Sequence, residues 1–208
     1  MIILLDNGHG EGCVGKGSPD ALSGNASSPL AMREWKWSRE VAWACKEILC
    51  ARGYDARLLV PEATDIPLSV RVSRANAVCN EYGTKNVLLV SIHNNAAGEG
   101  SRWMTARGWS IYTTRGITEA DRLAEKIHET ARSIFKSPLT VRSYSNTYLG
   151  RDYEEDFYIL RHTYCPAVLV ENFFQDNKQD VEYILSDAGK RNCIRVITKG
   201  IENYLSGR

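Results

Sequence analysis

The sequence predicts a three-layer α/β/α fold built on a mostly parallel central sheet of about six strands. Three observations predict it. Short continuous apolar runs such as Ile2-Ile3-Leu4-Leu5 and Val87-Leu88-Leu89-Val90 read as strands buried on both faces. Segments with apolar residues at helical spacing lie between the strands, and such alternation implies parallel pairing. The chain has 208 residues, 43% hydrophobic and 25% charged, with no internal repeat, low-complexity tract or linker. That length sustains one packed core, so a single domain over residues 1–208 is expected.

The first run ends in Asp6-Asn7-Gly8, and a Gly/Ser/Pro/Asn-rich stretch then extends from Gly8 to Pro29. From Arg33 a helical stripe carries Trp37, Val41, Ala44, Cys45 and Ile48, and Gly53 stops it. Tyr54 to Val60 reads as a strand closed by Pro61. Pro67 opens a second helix with Leu68, Val72, Ala75, Cys79 and Tyr82 on one face and Gly83 as its stop. Val87 to Ile92 is the strongest buried strand, and Trp109 to Thr113 is another. A third helix carries Ala120, Leu123, Ile127 and Ile134. Phe157-Tyr158-Ile159-Leu160 and Ala167-Val168-Leu169-Val170 read as two further strands. A last helix buries Ile194, Ile197, Ile201 and Leu205.

Several classes of function are excluded early. With 26 basic and 25 acidic residues the formal net charge is +1, which gives no whole-molecule footprint for nucleic acid or an anionic membrane. No apolar run approaches the roughly 20 residues of a membrane span. The N-terminus lacks the basic flank and long apolar region of a secretory signal, so a route of export is not legible. The six cysteines contain no C-x-x-C pair and read as reduced, mostly buried thiols. Gly10-Glu11-Gly12-Cys13-Val14-Gly15 matches the dinucleotide fingerprint in spacing. However, no helix opens at its third glycine to face a pyrophosphate, so it reads as a loop.

Ligands in open α/β sheets bind beyond the carboxyl ends of the strands. His9, His93 and Glu171 fall at three such ends. A catalytic zinc usually takes three protein ligands and one open position. Two histidines at neighbouring strand ends therefore call for a third ligand that is a His or a carboxylate. Glu34 extends the buried stripe of the first helix at its N-terminal end, on the same side of the sheet. Glu171 ends a buried strand, where an ionisable group suggests function. His128 and His162 read as structural or peripheral.

Five blocks in order resemble the zinc-dependent N-acetylmuramoyl-L-alanine amidases of the type-3 kind. They are Asp6-Asn7-Gly8-His9-Gly10, Arg33-Glu34 heading a helix, Arg71-Val72-Ser73-Arg74-Ala75-Asn76, Ser91-Ile92-His93-Asn94-Asn95 and Pro166-Ala167-Val168-Leu169-Val170-Glu171. The resemblance implies Zn2+ held by His9, Glu34 and His93, with Glu171 as the catalytic acid/base. The stretch between His9 and Glu34 is longer than the family's usual one, so Glu11 and Glu40 remain alternatives for the carboxylate ligand.

It also implies a hydrolase acting on peptidoglycan at the cell wall or in the periplasm, and a monomer is expected. The bond cut would be the amide between the lactyl group of N-acetylmuramic acid and L-alanine of the stem peptide. Asn95 is a candidate substrate contact, and the polar, aromatic segment from Ser137 to Glu155 is either a groove wall or a surface loop. The short turn between Tyr112 and Thr118 lacks the long insert of cell-division relatives, which implies an open site. A zinc peptidase and an inactive peptidoglycan-binding module are the competing readings.

Overall fold

Strands that are apolar without alternation must be covered on both faces, and the computed structural model shows them so. It describes residues 1–144 and 151–207. The strands are β1 (Ile2–Asn7), β2 (Asp55–Leu58), β3 (Val87–Asn95), β4 (Ser110–Thr113), β5 (Tyr153–Glu154) and β6 (Ala167–Phe174). They form one six-stranded sheet in the order β2-β1-β3-β6-β4-β5. Every pairing is parallel except that of β4 with β6. The predicted class therefore holds.

The helices are α1 (Pro19–Leu22), α2 (Glu34–Ala51), α3 (Leu68–Tyr82), α4 (Glu119–Ile134), α5 (Tyr158–His162), α6 (Lys178–Leu185) and α7 (Asp187–Ser206). Successive strand residues point to opposite faces, and the two cores follow that alternation. Ile3, Leu5, Leu88, Val90, Val168 and Val170 pack with Trp37 and Val41 of α2, Leu123 and Ile127 of α4, and Ile197 of α7. Ile2, Leu4, Leu89 and Leu169 face the other way, onto Val72, Ala75 and Cys79 of α3 and Ile159 and Leu160 of α5.

One predicted strand is corrected. Phe157 to Leu160 is not extended: the Phe157 carbonyl accepts from the amides of Leu160 (3.0 Å) and Arg161 (2.9 Å), closing the helical turn of α5. Four apolar residues carry too little periodicity to separate a strand from a buried helical turn. The sixth strand is instead the two-residue β5, drawn from the polar segment before it and set beside β4 with Tyr112 opposite Tyr153.

Two helices arise from cap chemistry rather than from apolar period. Ser18 caps α1 through the Ala21 amide, and the Asn177 side chain accepts from Gln179 and Asp180 at the start of α6. All six cysteines are free thiols, as expected. No helix among the described residues is long and apolar enough to cross a membrane.

Candidate metal centre and active site

The two central strands run past their apolar stretches, so the polar residues near their ends still lie within the ladder. His93 and Glu171 stand opposite each other in the β3–β6 register, and the pairing shifts between His93 and Asn95. The β1 segment ends one step earlier, and its ladder is continued by the Gly8 amide donating to Ile92 at 2.8 Å. A Cβ on Gly8 would lie 2.5 Å from His93 Nδ1, so only glycine lets the backbone pass the imidazole. His9 then adopts φ +60°, a left-handed conformation that costs energy for a non-glycine residue.

Arg71 of α3 holds this turn. Its guanidinium donates to Asp6 Oδ1 (2.8 Å), to the carbonyls of Asn7 (2.5 Å) and Ile66 (2.8 Å), and more distantly to His9 O (3.3 Å). Ser91 donates to the other Asp6 oxygen at 2.5 Å. Buried charges persist when paired and fully hydrogen-bonded, and this pair is both.

Glu34 is the first residue of α2, where the helix dipole favours a carboxylate. It is only 1% exposed. Its Oε1 lies 3.1 Å from His93 Nδ1 and accepts from the Asn94 amide at 3.0 Å; its Oε2 accepts from Gln175 Nε2 at 3.0 Å and lies 3.6 Å from His9 Nε2. The two imidazoles meet edge to face, with centroids 5.1 Å apart. One ligand atom from each of His9, Glu34 and His93 falls within 4.8 Å of the others; no other such group of three occurs among the described residues. The alternatives sit elsewhere: Glu11 is exposed, and Glu40 pairs with Lys190 at 2.5 Å.

The electrostatics of this cluster are those of a cation site. Burial opposes ionisation of Glu34, yet the His93 hydrogen bond, both imidazoles and the Asn94 amide together hold its pKa below the ordinary value. Burial pushes His9 down to about 4 against the pull of Glu34. His93 goes the other way: burial lowers it, but the Glu34 hydrogen bond and charge prevail and raise it. Two imidazoles and one carboxylate are the nitrogen and oxygen donors that suit zinc. A buried carboxylate wedged between them is what such an ion would balance.

Glu171 has the opposite character. Its Oε2 is buried with no hydrogen-bond partner among the described residues. Burial, reinforced by the Glu34 charge and opposed by His93, pushes its pKa up to about 8. A carboxyl tuned toward neutrality beside a cluster that holds its own carboxylate ionised is the pattern of an acid/base paired with an electrostatic partner.

Asn95 donates to the Tyr112 hydroxyl at 3.3 Å and accepts from the Ala96 amide at 2.8 Å. Asn94 and Gln175 carry supporting roles that their sequence positions do not announce, whereas Arg71, a cation inside the apolar stripe of α3, left a signal. His128 is structural, as expected, its buried ring against Trp109 and 3.2 Å from the Arg142 carbonyl. His162 packs on Tyr158. Of the Ser137–Glu155 segment, Asn146 and Tyr148 lie outside the described residues. Arg151 turns to Glu129, whereas Tyr144 stacks on Tyr153.

A mostly parallel α/β sheet with two histidines, a buried carboxylate and a glutamic acid whose Oε2 has no hydrogen-bond partner among the described residues defines a candidate metal-dependent hydrolase. The chain belongs to the N-acetylmuramoyl-L-alanine amidase family, which it matches over residues 3–203. It is 26% identical, over a 239-residue alignment, to the N-acetylmuramoyl-L-alanine amidase AmiC of Neisseria meningitidis serogroup B, covering 99% of this chain and 53% of that protein. It is 27% identical over 207 residues to the endolysin of Bacillus phage SPP1, covering 99% and 66%. The chain thus spans about half the length of the first relative and about two thirds of the second. The catalytic domain of CwlV from Bacillus (Paenibacillus) polymyxa var. colistinus shares the fold, with a TM-score of 0.76 at 21% identity over 100% of this chain and 99% of that one.

Proposed function

We propose that residues 1–208 form one catalytic unit, a zinc-dependent N-acetylmuramoyl-L-alanine amidase acting on peptidoglycan of the cell wall. The observation that carries this reading is the His9–Glu34–His93 cluster beside Glu171, whose Oε2 has no hydrogen-bond partner among the described residues, in a chain of this family. His9, Glu34 and His93 hold the metal. When bound, zinc supplies an activated water at neutral pH and polarises the scissile carbonyl.

Glu171 takes the proton from the attacking water and returns it to the departing nitrogen of L-alanine as the amide C–N bond breaks. General acid–base catalysis of this kind contributes about 10²–10⁴-fold. Asn94 and Gln175 fix the Glu34 carboxylate, and Arg71 fixes the turn that presents His9. Asn95, anchored on Tyr112, orients the substrate amide. The link from β4 to α4 is residues 114–118 alone, which leaves the site open to a polymeric substrate.

The test is digestion of a purified muropeptide by the zinc-loaded protein, followed by mass analysis. The expected products are a sugar bearing a free lactyl carboxylate and a peptide with a new N-terminal alanine. Cleavage within the stem peptide instead makes it a peptidase, and no cleavage refutes the enzymatic reading.

A further inference from the structure

Beside Asn95 the sheet surface continues as a row of aromatic rings. Tyr112 stacks on Tyr153 with centroids 5.2 Å apart, and Tyr153 on Tyr144 at 5.5 Å. The Arg142 guanidinium lies over Tyr153 at 5.8 Å and over Phe174 at 5.1 Å. Phe174 stands opposite Asn95 in the β3–β6 register. Arg142 therefore borders the same ring cluster as Tyr112, whose hydroxyl Asn95 contacts.

This arginine is held firmly, and among the described residues no carboxylate forms an ion pair with it, although the Asp180 charge lies close enough to feel it. Its amide donates to Trp109 O at 2.8 Å, and its carbonyl lies 3.2 Å from the His128 ring. Its side chain makes no hydrogen bond or ion pair within the described residues. The nearby Asp180 spends one oxygen on the amides of Gly108 (2.7 Å) and Phe174 (3.0 Å), and pairs with no guanidinium. Contact with ring faces leaves the in-plane N–H donors of a guanidinium available, and that fork matches a carboxylate. The charges of Glu171 and Arg142 both act on the Tyr112 hydroxyl, the first raising its pKa and the second lowering it.

We propose that Arg142 is a specificity-determining residue that binds a free carboxylate of the stem peptide. The proposal rests on the amidase reading above. An extended peptide advances at most about 3.6 Å per residue, so a carboxylate a few residues beyond the scissile bond reaches past Asn95 and Tyr112 to the guanidinium. Tyr153 and Phe174 orient the arginine, and Tyr112 forms the floor between it and the reacting amide.

The test compares two muropeptides that differ only in whether the stem carboxylates are free or converted to carboxamides. Zinc-loaded wild-type protein is expected to favour the free acid by about tenfold or more in kcat/KM, mostly through KM, the scale of one charge-assisted hydrogen bond. Arg142→Gln should erase that preference, and Arg142→Lys should restore part of it. Thermal unfolding of each variant checks that the fold is kept. Equal cleavage of both substrates by the wild type, or an equal loss on both in Arg142→Gln, overturns the anchor alone. Cleavage of neither by the wild type overturns the amidase reading, and the anchor with it.

Discussion

Arg71 and Asp6 form an ion pair at 2.8 Å whose side chains are 3% and 2% exposed, directly beneath the turn that carries His9. One guanidinium thus binds the last turn of a strand to a helix 65 residues further along the chain. Arg71→Met strands a buried carboxylate, and breaking such a pair typically costs about 3–5 kcal/mol. The expected result is a lower urea midpoint, with Asp6→Asn added to Arg71→Met recovering part of the loss. An unchanged midpoint would remove the pair from the stability of the site.

The site residues separate by what their loss leaves behind. His93→Ala is expected to abolish stoichiometric zinc binding. Glu171→Gln should keep zinc and lose about 10²-fold or more in turnover. Metal analysis read alongside muropeptide hydrolysis distinguishes them; full zinc in the first or near-normal rates in the second contradicts the assignment.

Gln175 would act on a metal held by Glu34, whose Oε2 it reaches at 3.0 Å. Partners of this kind are worth about 10–100-fold in metal affinity. Gln175→Ala should weaken zinc binding on that scale in a competition titration with a chromophoric chelator, while far-UV circular dichroism stays unchanged. Affinity equal to wild type would show that Asn94 alone fixes the carboxylate.

Gly8→Ala introduces a methyl 2.5 Å from the His93 ring. Overpacking of this kind costs about 1–3 kcal/mol, and here the ring or the His9 turn must move. Loss of zinc affinity beyond the loss of stability is the expected signature. A variant that binds zinc normally would mean the turn absorbs the methyl without moving either histidine.

His128 gives a pH dependence with a defined sign. Burial, aided by Arg151 and Arg132 and opposed by its hydrogen bond to Arg142, holds its pKa below the ordinary 6.5. As pH falls below about 6.5, the unfolded imidazole takes up a proton that the folded one refuses, so stability declines. His128→Gln has no such titration. Unfolding free energies between pH 7 and 5 should fall more steeply for the wild type than for the variant, and parallel slopes would overturn the point.

The fold was legible because apolar runs and helical stripes determine what must be buried, and neither depends on detail. β1 and β6 were read from four residues each and β3 from six, although the ladder carries the latter two on to Phe174 and Asn95 through polar residues. Phe157–Leu160 failed because a run that short buries equally well as a turn of helix against α3. The three potential ligands and Glu171 were legible as polar residues where an apolar strand or stripe ends. Gln175 and Asn94 were not, because their roles lie in hydrogen bonds to Glu34 across long stretches of sequence, and an amide leaves no periodic trace. Arg142 stood in a segment that read as a surface loop slightly more than as a groove wall, and its ring contacts left no trace in the sequence pattern.

The facing of His93 and Glu171 across β3 and β6 has a practical corollary. Their separation is set by the interstrand spacing of the sheet, about 4.8 Å, and not by any loop. The described residues between Ser137 and Glu155, among them Arg142, Tyr144 and Tyr153, meet the sheet at its far edge, beside Trp109 and β4. Transplanting that segment from a relative is therefore a way to change what the far edge of the sheet meets while His93 and Glu171 stay in register.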